Sequence, residues 1–304
     1  MKEKSLPYDF VSRRLHSLMG LWLSIYIIFH LLTNSQAALW IGEDGKGFIH
    51  DVNWIHDLPF LFLLEILFLA VPILIHLIYG IKYLFTAKYN SFGYNGREPY
   101  LPEYGRNRAY TWQRITAWIL AVGIIAHVVH MRVLEYPEIA HVGNKTYYMV
   151  KVEDDPGLYT LEKRIGYDIY NPDQIVKRIV TPKGEGAVEE QRYNQEAGFN
   201  EALKRKGAKE KEVMIVADNF GTATLFMLRD TFKSPLMMAL YTIFVLTACF
   251  HGFNGLWTAF IKWGITLSDR TQRLWLGFCQ GLMVLVAMLG LFAIFGTYWL
   301  NLRN

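Results

Sequence analysis

Four of the long apolar runs of this chain each contain a histidine that could do chemistry. These residues are His30, His76, His127 and His251. An ionisable group inside a lipid bilayer is costly, and such groups usually face the interior of a helix bundle in functional roles. Imidazoles in this setting are candidate ligands of a haem iron or members of a proton relay. For any single one of them, a packed imidazole bonded to a neighbouring helix is the ordinary alternative.

Five apolar runs are long enough to cross a membrane as helices, and we call them spans I to V. They cover roughly residues 18 to 40, 58 to 81, 115 to 134, 235 to 261 and 274 to 300, and a crossing takes about 20 apolar residues. The composition agrees, because 52% of the 304 residues are hydrophobic and 19% are charged. An all-α membrane protein, a bundle of five transmembrane helices, is therefore expected.

A polar block of about a hundred residues separates spans III and IV. It runs from 135 to 234, and we call it the insert. The stretches "KTYYMVKV" and "LYTLEKRIGYDIY" are strand-like and "EEQRYNQEAGFNEALKRKGAKEKEV" is helix-like, so a mixed α/β domain is expected. The predicted organisation is residues 1–134 with spans I to III, the insert 135–234, and residues 235–304 with spans IV and V.

Basic residues predict the orientation of the spans. The N-terminus and the segments after spans II and IV carry thirteen Lys and Arg, against Lys46 after span I and Arg303 at the end. By the positive-inside rule the N-terminus is cytoplasmic, and the insert and the C-terminus lie outside. The net charge of +4 is modest. The basic residues flank the spans, which indicates a role in membrane orientation, so no nucleic-acid partner is expected.

Depth in the membrane arranges the four histidines into two pairs. At ~1.5 Å per residue, His30 and His127 lie about 18 to 20 Å from the cytoplasmic edge. His76 and His251 lie roughly 24 to 27 Å from the outer edge of a core ~30 Å thick, near the cytoplasmic side. Two depth-matched pairs suit bis-imidazole ligation of two haems, because each iron takes one nitrogen on each face of the porphyrin. Zinc would need three or four ligands at one level, whereas a haem-free proton relay stays open.

Residues near the cytoplasmic edge could contact haem propionates. Lys262 shares a helix face with His251, and a cation there could pair with a propionate or simply reach the membrane surface. His16 and Ser17 lie nearly on the face of His30 and could hydrogen-bond a propionate, although a boundary histidine needs no ligand to explain it. His130 lies one turn after His127 and could be the ligand in its place.

The spans resemble the cytochrome b membrane anchor of the succinate dehydrogenase and fumarate reductase family, in its five-helix, dihaem, single-subunit form. The matching stretches are "RRLHSLMGLWLSIYIIFHLL" in span I, "LPFLFLLEILFLAVPILIHLIYGIKYLFTAKYN" in span II, "WQRITAWILAVGIIAHV" in span III and "FHGFNGLWTAFIKWGIT" with "SDRTQR" in span IV. The insert departs from the pattern, because relatives join spans III and IV by a short loop. Its role is therefore not inherited.

The resemblance implies a set of site residues and cofactors. It places the axial ligands of two haems b on four histidines: His76 and His251 for the inner haem, His30 and His127 for the outer haem. It favours His127 over His130, counted from Gln113 and Arg114, and places the propionate contacts of the inner haem at His16, Ser17, Trp112 and Lys262. A quinone is the implied substrate, with menaquinone expected.

The resemblance also implies partners, because the chain has no Gly-rich dinucleotide fingerprint and no Cys cluster for an iron–sulfur centre. A flavoprotein subunit with FAD and an iron–sulfur subunit are expected on the cytoplasmic face. The chain would be the electron-transferring and quinone-reacting subunit of a succinate:quinone oxidoreductase, multi-pass in the bacterial cytoplasmic (inner) membrane and surrounded by its lipid. Respiratory electron transport and the tricarboxylic acid cycle are the expected processes.

Glu65 is the candidate residue for quinone chemistry. It precedes His76 by eleven residues, so both side chains leave the same face of span II. A buried carboxylate could deliver protons to a quinone or bond its headgroup, and a protonated carboxyl tied to a neighbouring helix is the alternative. Pro72 lies one turn before His76, where it frees a backbone carbonyl and could bend the helix around the porphyrin.

Two other functions remain open from the sequence. One is the cytochrome b subunit of another quinone-linked complex, such as a hydrogenase or formate dehydrogenase, with its partner at the outer face. The other is a transporter with a histidine proton relay and no haem. The visible spectrum of the purified protein separates the transporter from both cytochromes.

Overall fold

The computed structural model describes residues 7–38, 43–86, 103–179 and 196–299. Five helices in these ranges are long and apolar enough to cross a membrane: Tyr8–Ser35, Leu61–Phe85, Gly105–Leu134, Pro235–Lys262 and Asp269–Trp299. The prediction of five membrane-spanning helices is confirmed at the level of length and composition.

The helices follow the chain in a simple order. They are α1 (Tyr8–Ser35), α2 (Lys46–His56), α3 (Leu61–Glu65), α4 (Val71–Thr86), α5 (Gly105–Val129), α6 (Pro156–Leu161), α7 (Pro172–Ile179), α8 (Ala197–Lys206), α9 (Phe220–Thr231), α10 (Pro235–Lys262) and α11 (Asp269–Leu291). Single π turns at Ile66–Ala70, His130–Leu134 and Phe292–Gly296 interrupt or extend spans II, III and V. Such widened turns are rare and often mark functional positions in helices.

Three spans begin earlier than their apolar runs. Helix α1 begins at Tyr8, α5 at Gly105 and α11 at Asp269, whereas the apolar runs begin near 18, 115 and 274. The polar ends continue as helix because they pack on other helices. Ser12 Oγ lies 3.1 Å from the hydroxyl of Tyr83 on α4, and Arg106 on α5 donates to Gln272 Oε1 on α11 at 2.5 Å.

The chain divides into two compact units. The first is formed by the described parts of Met1–Leu32, Pro59–Ala126 and Thr242–Gly290, which hold most of the spans. The second is formed by the described parts of Thr33–Leu58, His127–Tyr241 and Leu291–Asn304.

A four-stranded antiparallel sheet forms the centre of the second unit. Its strands are β1 (Glu138–Val142), β2 (Lys145–Glu153), β3 (Asp168–Tyr170) and β4 (Glu212–Ala217), in the spatial order β1-β2-β4-β3. A two-residue loop with Gly143 at a φ of +58° joins β1 to β2, which suits a tight hairpin because glycine adopts positive φ without strain.

Both faces of the sheet are buried, because β4 is a continuous apolar strand whose side chains alternate between two cores. On one face Val213 and Ile215 pack with Leu158, Leu161 and Phe226. On the other face lie Met214 and Val216 together with Ala140, Met149, Ile175, Phe199, Ala202 and Leu203. The mixed α/β character expected of the insert is therefore present.

The strand-like reading of "LYTLEKRIGYDIY" was largely wrong. Residues Pro156–Leu161 form α6, a π turn follows at Glu162–Gly166, and only Asp168–Tyr170 is a strand. The side chain of Asp155 caps α6 by accepting from the backbone N–H of Gly157 at 2.8 Å, with Pro156 at the first helical position. This start signal outweighs the β-propensity of the aromatic residues that follow.

Of the helix-like stretch of the insert, the structure describes residues 196–213, and a helix covers part of them. Helix α8 (Ala197–Lys206) ends where Gly207 takes a φ of +58°, and β4 begins at Glu212. Residues 189–195 of that stretch lie outside the described ranges.

The short helix α2, which precedes span II, packs on α9 of the insert. Asn53 Oδ1 accepts from the backbone N–H of Gly221 at 2.7 Å, and Asn53 Nδ2 donates to Asn219 Oδ1 at 3.1 Å. A Cβ at Gly221 would lie 2.5 Å from the carbonyl oxygen of Ile49, so the two helices approach too closely for any larger residue. The sequence analysis did not anticipate this contact.

A small ion cluster fixes the end of α9. Lys233 Nζ lies 2.6 Å from Asp155 and 3.5 Å from Asp230, and it donates to the carbonyl of Glu153 at 2.8 Å. Burial raises the pKa of Asp230, against the lowering effect of the Glu153 N–H and of Lys233. The cluster ties β2 to the segment that leads directly into span IV.

Candidate haem-binding site

The imidazole of His76 is held by a reciprocal contact with His16. The two rings stack with centroids 4.0 Å apart and an interplanar angle of 13°. His76 Nδ1 lies 3.0 Å from the carbonyl oxygen of His16, and His16 Nδ1 lies 3.1 Å from that of His76. A carbonyl only accepts, so both Nδ1 atoms carry the hydrogen and donate. Nε2 of His76 therefore presents a lone pair, the form in which imidazole binds a metal.

The imidazole of His251 is supported by Thr116 on α5. The Thr116 hydroxyl donates to the carbonyl of Trp112 at 2.7 Å, and its oxygen lies 3.2 Å from His251 Nδ1. Since the hydroxyl has a single hydrogen, it accepts from the Nδ1–H of His251. Nε2 of His251 is then also left with its lone pair.

Gln113 fixes the backbone of α10 at the same level. Its Nε2 donates to the carbonyl of His251 at 3.0 Å, and its Oε1 accepts from Asn254 Nδ2 at 2.7 Å. Buried side chains that bond across two helices restrict their relative rotation. His251 is therefore held by α5 at two points, its ring by Thr116 and its backbone carbonyl by Gln113.

His76 and His251 come together with their ring centroids 6.2 Å apart and their planes at 84°. Two metal–imidazole bonds of about 2 Å on opposite sides of one metal separate the rings by on the order of 6 Å. The donor set therefore fits a bis-imidazole iron. In the described ranges, no group of three or more His, Cys, Asp and Glu side chains is placed to hold a metal ion.

Gly20 on α1 leaves the space that the imidazole ring of His76 occupies. A Cβ at Gly20 would lie 2.7 Å from Cε1 of His76, so a side chain there would displace the imidazole. Ser24 Oγ lies 2.9 Å from the carbonyl of Gly20 and 3.1 Å from that of Gly252 on α10. The hydroxyl brings α1 and α10 together beside the two imidazoles.

The predicted propionate contacts lie near the ends of the helices that the sequence predicts to be cytoplasmic. Ser17 is buried and accepts from the indole N–H of Trp263 at 3.3 Å, next to the exposed Lys262. The Arg14 guanidinium lies 4.9 Å from the centre of the Trp263 ring. Trp112 is 55% exposed, and its backbone carbonyl accepts the hydrogen bond of the Thr116 hydroxyl. Ser17 and Lys262 thus lie at one end of the site, with a second cation beside them.

The candidate ligands of the outer haem lie in different units. His30, in the first unit, stacks on Tyr26 with centroids 5.5 Å apart. In the second unit, His127 Nδ1 and His130 Nδ1 each lie 3.2 Å from the hydroxyl oxygen of Tyr241.

Glu65 ends α3 and directly precedes the π turn Ile66–Ala70. It is half-buried. Four residues before Pro72, the carbonyl of Phe68 accepts from the indole N–H of Trp22 at 2.5 Å. The proline has no N–H for that carbonyl, and the tryptophan of α1 takes its place.

The amino-acid sequence is similar to a curated bacterial protein along almost its whole length. It is 25% identical over 288 residues to the succinate dehydrogenase cytochrome b558 subunit of Bacillus subtilis (strain 168), which covers 94% of this chain and 96% of the relative. This similarity supports the resemblance of the chain to the succinate dehydrogenase cytochrome b membrane anchors. No family model matches it, and no solved structure matches it significantly.

With five helices long and apolar enough to cross a membrane, the chain is a multi-pass membrane protein. Two residues that support its imidazoles were missed by the sequence reasoning, namely Gln113 and Thr116. A signal was present, because both are polar, lie three residues apart in "WQRITAWIL" and so share one helix face. The carbonyl partner of His76 carried no such signal, since any residue type supplies a carbonyl.

Replacement of Thr116 by valine tests the support of His251. Valine keeps the shape but cannot accept from Nδ1–H, and loss of such an outer partner typically weakens a metal site about 10–100-fold. If His76 and His251 ligate a haem, we expect Thr116→Val to lose that haem faster by that factor, measured as transfer to excess apomyoglobin. Thr258→Val on α10, whose hydroxyl bonds its own helix, is the matched control. Equal rates of haem transfer in the wild type and Thr116→Val would show that Thr116 does not support His251.

Proposed function

We propose that the chain is the dihaem cytochrome b anchor of a succinate:quinone oxidoreductase. Its function is to pass electrons between an iron–sulfur subunit and membrane quinone, with menaquinone as the expected quinone. The observation that carries the proposal is the pair His76 and His251, whose rings lie 6.2 Å apart with both Nδ1 atoms engaged. Each leaves Nε2 for an iron.

The inner haem b is assigned to these two imidazoles. When bound, its iron supplies a one-electron carrier. The chain orients His76 through the carbonyl of His16 and His251 through Thr116. Such outer bonds also raise the basicity of the ligating nitrogen. His16, Ser17, Trp112 and Lys262 are the proposed propionate contacts.

The outer haem b is assigned to His30 and His127. The support is the matched depth of these residues in spans I and III and the family resemblance of both spans. The half-buried Glu65 is the proposed proton-delivering or quinone-binding residue on that side of span II.

The partners are proposed from the relative's name and from the basic residues. A subunit named for succinate dehydrogenase implies a flavoprotein and an iron–sulfur subunit. By the positive-inside rule, the basic N-terminus and the segment after span II support docking of both on the cytoplasmic face, with the insert and the C-terminus outside. The proposed location is the bacterial cytoplasmic membrane.

The haem count of the purified complex tests the proposal. We expect two haems b per chain by pyridine haemochrome absorbance, and co-purification of a flavin-containing and an iron–sulfur subunit with succinate oxidation or fumarate reduction. A colourless preparation would exclude the proposal. A hydrogenase or formate dehydrogenase activity in the co-purified subunits would replace it with the other quinone-linked complex.

A further inference from the structure

We propose that α2 is an interfacial helix, which places Trp54 and Ile55 in the lipid headgroup region and so holds the insert on the membrane surface. The partner of this surface is the bilayer, in the leaflet where span I ends. By the positive-inside rule this is the outer leaflet. The inference does not depend on the haem assignment, because it uses only the membrane-spanning helices and the packing of the second unit.

Helix α2 is tied to the membrane edge at two points. Helix α1 of span I ends at Ser35, and the next residue, Gln36, donates from Nε2 to Asp51 Oδ2 in the middle of α2 at 2.5 Å. At its other end α2 stops at His56, and span II begins at Leu61. These five Cα steps reach at most about 18 Å. The helix therefore lies beside the points where span I leaves the membrane and span II enters it.

The insert covers one side of α2 and leaves the end of another side exposed. The side that packs on α9 consists of Ile49, Asn53 and His56. With 3.6 residues per turn, Trp54 and Ile55 lie about 130° around the helix from the centre of that side. Trp54 is 64% exposed and Ile55 is 39% exposed. Two large apolar side chains thus face away from the insert, at the end of α2 that leads into span II.

The chemistry of this end of α2 suits a bilayer surface. Tryptophan is enriched where membrane meets water, because its ring is apolar and its N–H is polar. Exposed aromatic residues continue along the chain to the start of span II, where Phe60 is 81% and Phe62 is 76% exposed. The first half of α2 instead exposes the polar side chains of Lys46 and His50. An interfacial helix buries its apolar side about 5–10 Å into the boundary between headgroups and acyl chains.

An anchored α2 also fixes the insert. Helix α9 is bonded to α2 through Asn53 and the backbone N–H of Gly221. It ends at Thr231, and span IV begins at Pro235. The position of α2 in the membrane surface therefore sets the level of the last helix of the insert, directly before the chain enters span IV.

Fluorescent labels on single introduced cysteines test the depth of α2 in the complete complex. Cys249 and Cys279 are buried, so a thiol-reactive NBD label selects the introduced residue, with the wild type as background. In nanodiscs of phosphatidylglycerol and phosphatidylcholine, labelled Ile55→Cys should lose most of its emission to a nitroxide-bearing lipid and be shielded from aqueous iodide. His50→Cys, whose native side chain is 79% exposed, is the matched control and should respond to iodide instead. Adding Trp54→Asp to Ile55→Cys should shift its quenching from lipid to iodide, whereas adding His50→Asp should not.

An Ile55→Cys label that iodide quenches and the nitroxide lipid does not would overturn the inference, because the surface would then be solvated. A label shielded from both quenchers would also overturn it and would assign the surface to a protein partner. Unchanged quenching after Trp54→Asp would show that Trp54 is not an anchor. If Trp54→Asp does not assemble, the comparison of Ile55→Cys with His50→Cys decides alone. A haem count below two in the same preparations would refute the proposed function and leave this inference standing.

Discussion

Replacement of His76 by alanine is expected to remove one of the two proposed haems and leave the other. The variant lacks one of the two imidazoles that lie 6.2 Å apart, so His251 loses its proposed partner ligand. It also loses the stacking contact with His16. A redox titration of haem absorbance in the purified complex should show two components in the wild type and one in His76→Ala.

The control for this experiment is His50→Ala. Its side chain is 79% exposed, outside the spans, and both components should persist. Survival of both components in His76→Ala would exclude His76 as an iron ligand. Disappearance of both would show that the two haems do not depend on separate histidine pairs. Only the selective loss of one component assigns His76 to a single haem.

The spans could be predicted from the sequence because a membrane imposes a long apolar run on any helix that crosses it. Their ends could not be predicted from hydropathy. Helix α1 continues back to Tyr8 because its polar turn packs on α4, where Ser12 meets Tyr83. Such a contact joins residues 71 positions apart, and no local pattern reports it.

The pairing of His76 with His251 could be predicted from their depths in the membrane, because a rise of ~1.5 Å per residue converts position in a run into depth. The partners of the two rings divide into predictable and unpredictable ones. Thr116 is a polar residue in an apolar run and could have been suspected. The bond from His76 Nδ1 to the carbonyl of His16 depends on how two helices meet, because every residue has that carbonyl.

The insert shows the limit of local propensity. Its aromatic and β-branched residues predicted a strand at 158–170, but the capping pair Asp155 and Pro156 starts a helix there instead. Its packing on α2 was not visible at all, because Gly221 and Asn53 are 168 residues apart. Gly221 alone could not predict this close contact, because the sequence does not show which helix packs against it.

Glu65→Gln is expected to lower quinone turnover about 100-fold or more while both haems remain, because a positioned acid or base typically contributes 10²–10⁴-fold. Glutamine keeps the size and hydrogen-bonding capacity of the side chain and removes only its ability to exchange a proton. The measurement is succinate-dependent quinone reduction by the whole complex. Reduction of an artificial dye by the flavoprotein and iron–sulfur subunits should be unchanged, since it does not need the quinone site.

Glu210→Gln, an exposed acid of the insert, makes the same chemical change elsewhere and should keep full quinone turnover. If Glu65→Gln also keeps it, the carboxyl has no proton role and acts as a structural group of span II. Glu65 then resembles Trp22, which satisfies the carbonyl of Phe68 within the widened turn. If turnover falls with both haems intact, Glu65 and the π turn that follows it belong to a quinone site. A purely structural role would not depend on an ionisable side chain.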